Sequence, residues 1–154
     1  MSTFLETQPQ ARPIRSIDDL KGYFQAHAKP EGEERVGIEC ELFGVHAKTG
    51  EALPYHGPIG IELVLNELAY EFGYESIKED GHTIALQKNG SFISLEPGGQ
   101  VELSAAPVKS THEAKAQLDE FFFQLRTIAK FIGPIIWIAS GVHPFSRLKK
   151  IEWV

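Results

Sequence analysis

The chain has 154 residues, 42% of them hydrophobic, with 15 lysines and arginines against 21 aspartates and glutamates and a formal net charge of −6. This is the length of one domain with enough apolar content for a core, which excludes intrinsic disorder. Apart from the short group Arg147, Lys149, Lys150, no basic run offers itself to nucleic acid or to an anionic membrane, so neither is expected as a partner.

Residues 1–15, with Pro9 and Pro13 and little apolar content, read as a flexible N-terminal tail, and residues 16–154 as one folded unit with no dividing linker. The opening residues have neither the basic start nor the apolar stretch of a signal peptide. The single cysteine, Cys40, excludes an internal disulfide, and a reducing cytoplasm is the expected location. Ser16 and Asp19 form a capping-box variant for a first helix over Ile17 to His27, which would bury Leu20, Tyr23 and Phe24 before Lys29, Pro30 and the acidic loop Glu31 to Glu34.

A strand follows over Arg35 to Val45. Pro58 suits the first turn of a second helix, in which Ile61, Val64, Leu65, Leu68 and Phe72 recur at helical spacing until Gly73 closes it. The opposite face, with Glu62, Asn66 and Glu67, reads as solvated. Strands over Thr83 to Gln87, Phe92 to Glu96 and Gln100 to Ala105 come next. Ser110 and Glu113 then box the start of the longest helix, lined by Leu118, Phe121, Phe122, Leu125, Ile128 and Ile132 and ended by Gly133. A last strand runs from Ile135 to Ala139. The longest apolar run, Phe131 to Ala139, is broken by Gly133 and Pro134 and is far short of the roughly 20 residues of a bilayer span. The fold class is α+β, with an antiparallel sheet and helices.

The turns set which side chains share a face. Asn89-Gly90 is a two-residue hairpin signal that pairs Lys88 with Ser91, Leu86 with Ile93 and Ile84 with Leu95, and on the other face Gln87 with Phe92, Ala85 with Ser94 and Thr83 with Glu96. For the next hairpin, a three-residue Pro97-Gly98-Gly99 loop sets Glu96 opposite Gln100 and Ser94 opposite Glu102, and leaves Val101, Leu103 and Ala105 in the core. In the first strand Glu39 and Glu41 alternate with Ile38, Cys40 and Leu42, so they too project from the polar face. Cys40 points inward as packing.

Two ionised carboxylates about 5 Å apart repel by roughly 3 kcal/mol at an effective dielectric near 20. A cluster of Glu39, Glu41, Glu96 and Glu102 therefore needs bound cations, retained protons or basic partners. Lys88, at a turn, and Arg35, at a strand start, are poorly placed to help. Mg²⁺, a hard oxygen-seeking ion, is the sharpest reading. The plain alternative is that Glu39 and Glu41 solvate one side of an edge strand and never approach Glu96. The Pro-Gly-Gly loop is sufficient as a turn without a phosphate ligand, and His27, His46, His56, His82, His112 and His143 are scattered without metal-ligand spacing.

The segments RVGIECELFGV at 35 to 45, DGHTIAL at 80 to 86 and ISLEPGGQVELSAAP at 93 to 107 resemble the glutamate–cysteine ligases of plants and many bacteria, from about Val36 to the end of the chain. The resemblance implies a glutamine-synthetase-like fold whose curved sheet holds a metal cluster, ATP and glutamate. It makes Glu39, Glu41, Glu96 and Glu102 the Mg²⁺ ligands. The implied reaction is phosphorylation of the glutamate side chain by ATP and capture of the acyl phosphate by the amine of cysteine, the first step of glutathione synthesis. Two departures stand out: Cys40 occupies a position where many members carry histidine, and family enzymes run to several hundred residues, so residues 16–154 correspond to an N-terminal part of the catalytic domain. A ligase joining glutamate to another amine, and a non-catalytic Mg²⁺- or nucleotide-binding paralogue or fragment, are the alternatives.

Overall fold

The computed structural model describes residues 13–143, 145–147, 149 and 151, so most of the predicted tail and the terminal segment Glu152 to Val154 lie outside the described residues. The chain divides into two compact units, Met1–Glu34 and Arg35–Val154. In the first, α1 (Ile17–His27) starts as predicted: the Ser16 side chain accepts from Asp19 N–H, and the Asp19 carboxylate accepts from Ser16 N–H. The predicted burial of its apolar residues does not hold, because Tyr23 and Phe24 are 60% and 71% exposed and no residue of the helix is buried. An amphipathic stripe buries only against another element, and the described part of this unit contains none. Tyr23 instead packs against its helical neighbour His27, with ring centroids 4.1 Å apart.

The second unit contains, in chain order, β1 (Glu39–His46), α2 (Ile61–Phe72), β2 (Glu75–Glu79), β3 (His82–Lys88), β4 (Ser91–Glu96), β5 (Gln100–Ser104), α3 (Thr111–Ile132) and β6 (Ile135–Ile138). The six strands form one sheet in the order β2-β3-β4-β5-β1-β6, antiparallel at every joint. Leu42, Leu86, Ile93, Val101 and Leu103 on one sheet face pack with Ile61, Val64, Leu65 and Leu68 of α2 and Phe121, Leu125 and Ile128 of α3 in a single core. Each such side chain contributes about 1.5–3 kcal/mol on burial. Cys40, half-buried, packs against the same core.

Several local expectations change. β1 starts at Glu39, not Arg35, because the preceding stretch makes only an isolated bridge, Val36 to Val108. Pro58 lies in a turn ahead of α2, which begins at Ile61. Its first N–H groups are taken by loop carbonyls: Ile61 N–H donates to Pro54 and Glu62 N–H to Tyr55, at 2.9 and 3.0 Å. Only glycine fits at the N-cap, since a Cβ on Gly60 would lie 2.6 Å from the Tyr55 carbonyl oxygen. β2 was not predicted, because its sequence ESIKE has one apolar residue and occupies a sheet edge.

The Asn89-Gly90 turn has the expected register, with φ of 51° and 80° at its two residues, the combination of a type I′ turn. Paired residues of β3 and β4 end at Leu86 and Ile93, and the predicted face does not continue to Thr83. Opposite β2, Ala85 faces Ile77 while Thr83 faces Lys78, so Ile84 is the extra residue of a β-bulge. The bulge turns Thr83 to α2, where its hydroxyl donates to Asn66 Oδ1 at 2.7 Å. The polar side of α2 is therefore not merely solvated.

Candidate metal centre

The three-residue loop over Pro97, Gly98 and Gly99 has the register read from the sequence: Glu96 pairs with Gln100, Ser94 with Glu102, and Leu95 with Val101. Both glycines sit at positive φ, 87° and 76°, and Gly99 N–H donates to the Glu96 carbonyl at 3.0 Å, which closes the turn. On the other side of β5, Glu39 pairs with Ser104 and Glu41 with Glu102. The alternation of a strand then puts Glu39 and Glu41 of β1, Glu102 of β5, and Glu96 of β4 on the face opposite the helical core. β1 pairs with β5 through Glu39–Leu42 and with β6 through Phe43–His46, so Glu39 and Glu41 lie beside β5.

The electrostatics fit this placement. Glu102 is 9% exposed, and burial pushes its carboxyl above the ordinary carboxylate range; the hydroxyl of Ser94, donating at 3.2 Å, opposes the shift, while the charges of Glu96, Glu39 and Glu41 add to it. All three other candidate residues thus act on Glu102. Glu41 is exposed and accepts from Gln100 Nε2 at 3.1 Å; the same amide reaches the Ser140 carbonyl at 3.3 Å and ties the end of β6 to this face. Lys88, as expected from its turn, is engaged elsewhere, over the Tyr74 ring at 5.4 Å and with the Phe72 carbonyl.

Such a row of carboxylate oxygens is a hard donor set suited to Mg²⁺, which takes one or two carboxylates together with water and phosphate oxygens. A cation arriving at Glu102 would offset the burial and the neighbouring charges that push its carboxyl up. Two further polar residues, Gln100 and Ser94, lie in the row, and a third, His143, packs on Phe43, two residues after Glu41. Gln100 and Ser94 were placed by register but given no role, and His143, dismissed as scattered, is buried against Phe43 with ring centroids 5.1 Å apart. Its Nδ1 accepts from Phe145 and Ser146 N–H, and burial lowers its pKa. A neutral imidazole so bonded carries its proton on Nε2.

Comparison with known proteins then decides the family. Residues 35–153 match Glutamate-cysteine ligase family 2 (GCS2). The chain belongs to that family. Glutamate–cysteine ligase B, chloroplastic, of Oryza sativa subsp. japonica is 34% identical over 134 residues, 87% of this chain and 26% of the relative. The chloroplastic enzymes of Solanum lycopersicum and Arabidopsis thaliana are 34% and 32% identical over 92% and 94% of this chain, again 26% of each relative. The chain thus spans about a quarter of the length of these family members. The family match begins where the second compact unit begins, at Arg35, and contains all four glutamates. The relatives are named as chloroplastic enzymes, which runs against the cytoplasmic expectation. A single cysteine excludes only an internal disulfide and does not discriminate between reducing compartments. Among the described residues, no helix is long and apolar enough to cross a membrane.

Proposed function

We propose that Arg35–Val154 supplies the metal-binding part of an ATP-dependent ligase that joins the side-chain carboxylate of glutamate to the amine of cysteine through a γ-glutamyl phosphate. The observation that carries this reading is the row Glu41, Glu102, Ser94 across β1, β5 and β4, with Glu39 and Glu96 acting on the same carboxylate, inside the segment matched to the ligase family. The antiparallel sheet with helices on one face is compatible with a portion of a glutamine-synthetase-like catalytic fold, of which this chain would be an N-terminal part.

Glu39, Glu41, Glu96 and Glu102 would hold Mg²⁺, which supplies charge neutralisation for the phosphate oxygens of ATP and of the acyl phosphate. The glutamates contribute position and charge. Gln100 orients Glu41 through its amide, and Ser94 orients Glu102 through its hydroxyl. Small-molecule substrates, glutamate, cysteine and ATP, are the partners of this site. A second reading, which the same carboxylate donor set would serve, is Mg²⁺ and nucleotide binding without ligation.

Calorimetric titration of Mg²⁺ with and without a non-hydrolysable ATP analogue tests the site, and formation of γ-glutamylcysteine tests the reaction. Mg²⁺ binding that disappears in Glu96→Ala and Glu102→Ala, with helix and sheet signals intact, supports the metal assignment. Undiminished binding in both variants refutes it. Binding without product supports the second reading.

A further inference from the structure

We propose that His56, Glu62 and His82 form a second metal site, specific for a transition-metal dication of the zinc class. None of the three belongs to the four-glutamate row, and the inference does not rest on the ligase reading. They come from three elements: His56 from the loop before α2, Glu62 from the first turn of α2, and His82 from the first position of β3. Their ligand atoms all lie within 4.8 Å of one another. Both imidazoles turn Nδ1 to the same carboxylate, His56 to Oε2 at 3.1 Å and His82 to Oε1 at 2.9 Å. The rings meet edge to face, 4.8 Å apart at 63°, so two nitrogen lone pairs converge without the rings stacking over the space between them.

Tetrahedral coordination with bonds of about 2.0–2.2 Å spaces neighbouring ligand atoms roughly 3.3–3.6 Å apart; the two nitrogen–carboxylate contacts are already close to that spacing, and the widest pair, within 4.8 Å, closes by up to about 1.5 Å, a rotation open to half-exposed side chains. Two imidazoles and one carboxylate are a borderline donor set that suits Zn²⁺ and disfavours Mg²⁺. Ligation at Nδ1 places each ring proton on Nε2. With side chains 55% and 50% exposed, water can solvate those N–H groups and occupy a fourth coordination position.

The ligands are also held in place from beneath. Tyr55, next to His56, is 6% exposed and donates its hydroxyl to the Thr83 carbonyl at 2.8 Å, while Thr83, next to His82, is 1% exposed and donates to Asn66, one turn after Glu62. Glu62 N–H in turn donates to the Tyr55 carbonyl at 3.0 Å. Each ligand is thus adjacent to, or one helical turn from, a hydrogen bond joining the loop, α2 and β3, which is the supporting shell that a metal site requires.

The test is titration of Zn²⁺ alone into untagged, chelator-stripped chain, in millimolar Mg²⁺ to occupy competing carboxylates, with Co²⁺ as a spectroscopic substitute. One equivalent of Zn²⁺ is expected at micromolar or lower Kd, with visible Co²⁺ absorption of a low-coordinate nitrogen–oxygen site. Glu62→Gln and the His56→Ala/His82→Ala pair should weaken Zn²⁺ by more than the about 10–100-fold typical of changes outside the coordination sphere. Glu96→Ala should leave it unchanged. His56→Gln, altering only an exposed loop side chain, gives the same reading if the double variant is unstable. Failure of the unaltered chain to bind Zn²⁺, or equal binding by unaltered chain and His56→Gln, overturns the proposal.

Discussion

Replacing Glu102 by glutamine should stabilise the metal-free chain, an unusual expectation for a buried, hydrogen-bonded residue. Glutamine keeps the shape and an oxygen that can accept from Ser94, but removes a charge set directly opposite Glu41 and within reach of Glu96 and Glu39. A pair of charges about 5 Å apart repels by about 3 kcal/mol at an effective dielectric near 20 and about 1 kcal/mol in water. With Glu102 buried and Glu41 exposed, the value falls between these limits, and the variant should gain about 1–2 kcal/mol at pH 7.5. The sign follows from linkage: the folded pKa is raised above 4.5, so the folded chain keeps a proton that the unfolded chain loses. Stability is then fully present below that value and lost as pH rises through the folded pKa. Urea denaturation in chelator should therefore separate variant from unaltered chain at pH 7.5 and not near pH 4. Added Mg²⁺ should stabilise the unaltered chain more than the variant. A variant less stable than the unaltered chain at pH 7.5 in chelator would refute the reasoning.

The depressed pKa of His143 has the opposite consequence, since the unfolded chain takes up a proton that the folded chain resists; stability should fall as pH drops through 6.5 toward the lower folded value. His143→Asn, with an Oδ1 able to accept from the same backbone N–H groups, should flatten that part of a denaturation-versus-pH profile. Gly60→Ala, driving a Cβ against the Tyr55 carbonyl, should cost about 1–3 kcal/mol by urea denaturation. Ser110→Ala removes half of the capping box that starts α3 and should cost about 1 kcal/mol, measured in the same way.

Features encoded within a few residues were legible before the structure. The limits of α3 follow from Ser110 and Glu113 at one end and Gly133 at the other, and both hairpin registers follow from turn chemistry combined with apolar alternation. The polar face carrying four glutamates was legible for the same reason. Which strand lies beside which was not: that Glu41 meets Glu102 depends on β1 reaching β5 across the intervening helix and three strands. The bulge at Ile84 leaves no mark on the local pattern, and without it Thr83 would not turn to Asn66. For His56, Glu62 and His82 no spacing rule applies, because a loop, a helix and a strand each contribute one residue. The apolar residues of α1 misled because periodicity describes a face without supplying the partner that covers it.

The strand order also has a temporal meaning. β2, β3, β4 and β5 follow one another as an antiparallel meander, whereas β1, the earliest strand in the chain, is inserted between β5 and β6. The meander can form through short loop closures, but β1 must wait until both of its neighbours exist, and its addition carries the larger loop-closure entropy. Glu39 and Glu41 therefore join Glu96 and Glu102 only at that late step, after the sheet beneath them has formed. In stopped-flow chevron measurements, conservative core substitutions in β3 to β5 are expected to slow folding, while those at Leu42 in β1 should mainly accelerate unfolding. Repulsion among the carboxylates would thus be postponed to the last docking event of the chain.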